Sequence, residues 1–326
     1  MDLLLTSEQE QIVEAIAAVL GDELPLTGGH PRRMTRSLWQ LASDLGWIGL
    51  GLPMSVGGMQ ASTVEEALLF HKIGYHCGPM ELLFSVIAAH AAKDSNPALC
   101  ERLVKGEARA GYLIGTSLNP PWLALAMANA EVAVRLDAND QMILHGAVPL
   151  TSHEQICGLD PAVDTMSIDA LPQILCVAPA NVTSRGLLLV AAMEAGLARL
   201  ALDLACEHAK VREQFGKAIG SFQAVRHACA DMAVRSEAVD SQLAFAAASL
   251  AKESDSAFYE VRALKCLSID AAYRNVRSAI QIFGAIGVTD EHVMHLLLKR
   301  THLLDALFGN RSHQLDRLLA YPFPDS

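Results

Sequence analysis

None of the seven cysteines pairs with another in a CxxC spacing, and they are scattered at 77, 100, 157, 176, 206, 229 and 266. An odd, scattered count of this kind suits free thiols in a reducing compartment. Basic residues are in deficit: 25 Lys and Arg stand against 36 Asp and Glu, for a net charge of −11. A chain so acidic is not built for nucleic acid, whose phosphates demand a basic surface. Nor is there a charge-free apolar run long enough to span a bilayer. The most apolar window, residues 186–206, carries Glu194, Arg199 and Asp203, which points to a buried bundle helix. The opening residues "MDLLLTSEQEQ" have no basic flank, so a secretory signal is not expected there. "HEQIC" at 153–157 lacks the second histidine of a zinc-binding H-E-x-x-H, and no metal site is expected. Internal repeats and low-complexity segments are missing too. The expectation is a soluble, cytoplasmic protein with no membrane insertion.

What is present is mostly helix. Of the residues, 52% are hydrophobic and only 19% charged, with a mean hydropathy of +0.27. The fold class expected is mainly α with a small β-domain, in three parts: an N-terminal helical domain (1–108), a short middle β-domain (109–183) and a C-terminal helical bundle (184–326). In the first, Ser7 with Glu10 and Ser62 with Glu65 have capping-box spacing ahead of apolar runs. In the second, prolines at 120, 121, 161, 172 and 179 break the helical pattern, and "EVAVRL", "MILHG" and "QILCVAP" read as strands. In the third, helices are expected at about 186–213, 221–252, 256–283, 290–307 and 311–320, punctuated by glycines. Ser221 is the expected N-cap of the second.

Between the first two of those helices stands "VREQFGKAIGSFQAV" (211–225). Arg212, Gln214, Phe215 and Gln223 fall at one end of the bundle. On the residues alone two readings stay open. Arg212 caps a helix end, the glycines turn the chain and Phe215 packs; or a guanidinium, amides and an exposed ring await a flat, phosphate-bearing ligand.

This stretch resembles the acyl-CoA dehydrogenase family's signature. "QIFGAIGVTDEHVMHLLLKR" (281–300) is similar to the family's Q-x-x-G-G-x-G-x-x-x-E stretch, and "LGWIGLGLPMSVGGMQASTVEEALLF" (45–70) to its N-terminal helix–loop–helix. The resemblance implies FAD-dependent α,β-desaturation of an acyl-CoA thioester, with electron-transfer flavoprotein as acceptor. It also implies that the corner binds the ADP half of a flavin held largely by a neighbouring subunit. Carried over by position, the cofactor-binding candidates are Arg212, Gln214, Phe215, Phe222 and Gln223, with Gln281, Ile282, Phe283, Gly284 and Ala285 against the same cofactor. Ala218 and Ala285 depart from the family's usual proline and second glycine.

The family's catalytic glutamate is missing from both of its positions. One falls at Phe308, 27 residues beyond Gln281, with Leu307 and Gly309 on either side; the other falls at Gly186. None of these removes a proton. Asp305, three residues before Phe308, is the one candidate substitute. Glu194 lies about 12 Å along the helix from Gly186 and reads as an ion-pair partner for a bundle arginine. The family's T-E-x-x-x-G-S-D loop is replaced by "IGTSLNPPWLALAM" (114–127). A kept cofactor corner without a base resembles the base-lacking partner subunit of bacterial heteromeric (α2β2) dehydrogenases for steroid-like acyl-CoA esters. A self-sufficient homo-oligomer with a displaced base and a non-catalytic acyl-CoA- or flavin-binding relative are the alternatives.

Overall fold

The computed structural model describes residues 5–26, 28–115, 120–148 and 153–320. Five helices come first: α1 (Ser7–Glu23), α2 (Arg36–Asp44), α3 (Thr63–Tyr75), α4 (Glu81–Ala92) and α5 (Pro97–Val104). Side chains fix their starts. Ser62 and Glu65 form the expected capping box at α3, but at α1 the box is one residue earlier than expected, Thr6 with Gln9. Thr6 is equally suited to accept a helix N–H, and its extended backbone makes it the cap.

Seven strands follow: β1 (Ala110–Ile114), β2 (Trp122–Leu125), β3 (Val132–Leu136), β4 (Met142–His145), β5 (His153–Ile156), β6 (Thr165–Ile168) and β7 (Ile174–Val177). They pair in the order β5-β6-β2-β1-β3-β4-β7, antiparallel except for β1 with β3. Alternation along β1 sends Tyr112 into the main core beside Phe84 of α4. Leu113 instead joins a second small core with Trp122, Ala124 and Ala133.

The remaining described residues, to 320, are mostly helical, with one small hairpin: α6 (Ala180–Val211), α7 (Gln223–Ala251), α8 (Ala257–Phe283), α9 (Met294–Ala306) and α10 (Arg311–Leu319). The helix α6 is buried on every side from Leu187 to Ala201 except at Arg199, as its sequence requires. It starts at Ala180, two turns before the apolar run suggested, with Pro179 as its cap. It crosses α3 where Gly196 and Gly74 meet. A β-carbon at either glycine would stand 2.1 Å from a carbonyl oxygen of the other helix, so only glycine allows this approach. Among the described residues no helix is long and apolar enough to cross a membrane.

Candidate functional site

The corner after α6 is a two-stranded hairpin, β8 (Glu213–Gln214) paired with β9 (Lys217–Ala218). Its two-residue connection, Phe215–Gly216, has φ of +53° and +78°. Positive φ at both central residues is the type I′ pattern, which matches strand twist. Glycine adopts it at no cost, but a bulky ring does not. Phe215 nevertheless stands there, 92% exposed, its ring edge-on to Phe222 at 6.1 Å. A strained aromatic that packs against so little is typical of a residue held out for a ligand.

Beyond the hairpin a short 3-10 turn, Ile219–Ser221, leads into α7. The cap of α7 is Phe222 and not the expected Ser221, whose hydroxyl donates to Ala218 O at 2.7 Å. The 3-10 turn draws that hydroxyl backwards, away from the first α7 N–H groups.

An open groove of about 790 Å³ runs from this corner between α7 and α8. Gln214, Phe215 and Phe222 line one end, Gln281 and Ile282 the α8 side, and Arg235, Arg274 and Arg277 the rest of the polar wall. Residues far apart in sequence, 214–222 and 281–282, therefore share one surface within a single chain. The volume lies in the range of small-molecule sites. Aromatic, amide and guanidinium groups together fit a flat, phosphate-bearing ligand such as the ADP half of a dinucleotide.

The other corner candidates stand outside the groove wall. Arg212, the C-cap of α6, is exposed, with no ion pair or side-chain hydrogen bond to another described residue. Gln223 begins α7 and is exposed. Phe283 lies between His208 and His292, its ring 4.3 Å from each, and so ties the end of α8 to α6. Burial lowers the pKa of both imidazoles, which keeps this sandwich uncharged near neutral pH. Gly284 takes φ +70° as the C-cap of α8, and Ala285 follows it exposed. The sequence reading missed Arg235, Arg274 and Arg277. The signal was available as an i, i+3, i+7 spacing from Arg274 to Gln281.

The two vacant base positions meet each other in space. Phe308 is fully buried, and a β-carbon added to Gly186 would stand 3.2 Å from its ring. The ring packs edge-to-face on Tyr112 at 5.1 Å, and Tyr112 stacks on Phe84 at 5.4 Å. The backbone of Phe308, at φ +56°, is clamped from both sides. Its N–H donates to the Tyr112 hydroxyl at 2.9 Å, and its carbonyl accepts from Gln314 Nε2 at 2.8 Å. Arg262 Nη1 in turn donates to Gln314 Oε1 at 2.5 Å. The space left beside this cluster is about 210 Å³, smaller than a ligand pocket.

The carboxylates nearby are engaged elsewhere. Glu194 is fully buried against Lys265, which also donates to Leu304 O at 2.9 Å, and Ser268 Oγ donates to Glu194 at 2.6 Å. Its partner is thus a lysine, not the arginine expected. Burial raises its pKa against the opposing pull of Lys265 and Ser268. Asp305 is half-buried, and its Oδ1 accepts from Arg311 N at 3.0 Å, closing the turn into α10. Sequence reasoning passed over Glu81 in the first turn of α4, where acids are ordinary. Burial raises its pKa too, and its Oε2 has no hydrogen-bond partner among the described residues. Of "IGTSLNPPWLALAM", residues 116–119 lie outside the described residues.

Residues 6–107 match the acyl-CoA dehydrogenase N-terminal domain, and residues 182–320 the acyl-CoA dehydrogenase C-terminal domain. Acyl-CoA dehydrogenase IpdE2 of Mycobacterium tuberculosis is 30% identical over 298 residues, covering 88% of this chain and 87% of the relative. Acyl-CoA dehydrogenase FadE34 of the same organism is 33% identical over 293 residues, 85% of this chain; the match spans only 41% of FadE34. Among solved structures, the ChsE4–ChsE5 complex from Mycobacterium tuberculosis superposes with a TM-score of 0.80 at 19% identity, covering 99% of this chain and 100% of that one. A Tcur3481–Tcur3483 steroid ACAD variant does so with a TM-score of 0.78 at 20% identity, covering 96% and 97%.

Proposed function

This chain belongs to the acyl-CoA dehydrogenase family, and from that premise we propose that it is the base-lacking subunit of a heteromeric, FAD-dependent acyl-CoA dehydrogenase. Its part in α,β-desaturation is to supply the ADP-side corner of a cofactor site that a second acyl-CoA dehydrogenase subunit completes. FAD, when bound, takes up the hydride that leaves the β-carbon of the acyl-CoA. Gln214, Phe215, Phe222, Gln281 and Ile282 hold its ADP half from the groove, and Arg212 does so from the C-cap of α6. Gln223, Phe283, Gly284 and Ala285 support that wall without lining it. The α-proton is removed by a carboxylate of the other subunit. Electron-transfer flavoprotein is the proposed acceptor, and a steroid-like acyl group the proposed substrate. The two-part names of the superposing structures support a second subunit, and the steroid name of one of them supports the substrate class.

One observation carries the reading: Phe308 occupies the family's base position and the space in front of Gly186, while the groove stays open. Asp305, the candidate substitute, and the buried Glu194 are both tied down. The same proposal keeps the division at 108/109 and 183/184. Helix gives way to strand between Val104 and Ala110, in support of the first boundary, whereas strand gives way to helix between Val177 and Ala180, a few residues before the second.

Co-expression with a family member that carries a glutamate at either base position tests the proposal. The expected product is a yellow, stable assembly that desaturates acyl-CoA, whereas this chain alone is colourless or poorly soluble. The exposed Val211, Phe215 and Val234, 70% or more accessible, motivate the second half of that expectation. A yellow, active enzyme obtained from this chain alone would overturn the proposal.

A further inference from the structure

The α8 side of the groove carries a polar row for which the corner motif has no role. Arg274, Arg277, Ser278 and Gln281 all line it, and an i, i+3, i+4, i+7 spacing puts them on one helix face. Arg235 faces the groove from α7. No acidic side chain stands among the described lining residues, in a chain whose net charge is −11. A carboxylate offsets only one of the three guanidinium groups. Arg274 Nε pairs with Asp270 Oδ2 at 2.9 Å. Arg235 Nε donates to the neutral amide oxygen of Asn275 at 2.8 Å, and Arg277 lies over the Tyr273 ring, 5.4 Å from its centroid. Two like charges one turn apart repel each other, so an exposed pair of this kind is best satisfied by an anion.

We propose that Arg274 and Arg277 form the diphosphate seat of this groove, for a nucleoside diphosphate or the diphosphate of a dinucleotide. The inference rests on reading the corner as a dinucleotide site and adds residues that the motif does not. Arginine suits the task because its planar fork gives two parallel hydrogen bonds to a phosphate. At about 1.5 Å of rise per residue, Arg277 lies about 6 Å and Arg274 about 10 Å along α8 from Gln281. A ligand whose flat base meets the Phe215–Phe222 end therefore has its phosphates within reach of both.

The test is a calorimetric titration of the full-length chain, with any co-purifying subunit retained, using ADP, FAD and adenosine as probes. Arg277→Gln and Arg274→Gln are each expected to lower ADP and FAD affinity about tenfold, equivalent to about 1.4 kcal/mol. Adenosine, which carries no phosphate, is expected to bind all variants alike. Arg277→Lys should recover part of the loss, and the melting temperature should not move, since both side chains are exposed. If the glutamine variants bind ADP as the parent does while Phe222→Ala loses it, the seat is wrong and the corner reading stands. If the parent binds neither ADP nor FAD, the corner reading falls and the seat with it. Unchanged ADP affinity together with loss of the co-purifying subunit would assign the arginines to a protein contact and overturn the proposal.

Discussion

Two phenylalanines of this chain share a backbone conformation that neither prefers, and they are used in opposite ways. Phe215 at φ +53° holds its ring out to solvent; Phe308 at φ +56° is shut inside the core. What keeps each in place differs accordingly. Phe308 is over-determined by the Tyr112 hydroxyl, the Gln314 amide and the edge-to-face Tyr112 ring. Phe215 is fixed only by a two-residue hairpin and Gly216. The same strain therefore marks a packed plug in one region and a presented surface in the other. Burial and bonding separate the two cases, whereas backbone angle alone does not.

The contrast is broken most directly at its buried end. Phe308→Ala should cost about 3–5 kcal/mol of stability, because the clamped backbone cannot close over the cavity. Denaturant unfolding measures it. A loss under 1 kcal/mol would mean that the site collapses easily and is not the plug described here.

The buried pair comes next. Glu194→Gln leaves Lys265 charged with only Leu304 O and an amide to face, at a cost of about 3 kcal/mol. This exceeds the roughly 1 kcal/mol of a surface pair, because both groups are fully buried. The turnover of the co-expressed assembly should nonetheless stay within about twofold for Glu194→Gln and for Asp305→Asn. Removing a true general base lowers rate about 10²–10⁴-fold. Loss of turnover in Asp305→Asn with flavin retained would reinstate the displaced-base homo-oligomer.

The smallest effects on stability belong to the open end. Arg212→Ala and Phe215→Ala should each change unfolding free energy by less than about 0.5 kcal/mol, as exposed substitutions do. Removing a charge-assisted hydrogen bond, about 1.5–3 kcal/mol, should lower FAD affinity of the Arg212 variant tenfold or more. Loss of an aromatic contact, about 0.5–1.5 kcal/mol, should give the Phe215 variant a smaller drop. Flavin-to-protein ratios after dialysis report both.

Much of this was legible from local pattern. The long helices, three of the seven strands and the capping box at Ser62 depend on near neighbours, and their residues announce them. β1, β2, β5 and β6 do not. Gly111 interrupts β1, β5 is the polar run "HEQI", and the order β5-β6-β2-β1-β3-β4-β7 rests on pairings between distant segments. At the site, motif spacing named Gln214, Phe215, Phe222, Gln281 and Ile282, and these five line one groove. It did not foresee the ring contacts of Phe283 with His208 and His292, which are a tertiary arrangement. It failed for Glu194 as well, whose partner came from α8 and could not be named as lysine or arginine beforehand.

The contact between Gly186 and Phe308 also bears on history. The two positions now constrain each other: a β-carbon at 186 would stand 3.2 Å from the ring at 308, a crowded contact. A glutamate at 308 would put its carboxylate among Phe84 and Tyr112, where ionisation is opposed by burial. Removing the ring first opens a cavity, and adding the acid first meets an occupied space. Each single step back is harmful by itself, so packing acts as a ratchet. On the two-subunit reading proposed above, a lineage that passed this point would hold to its partner long after the original substitution was forgotten.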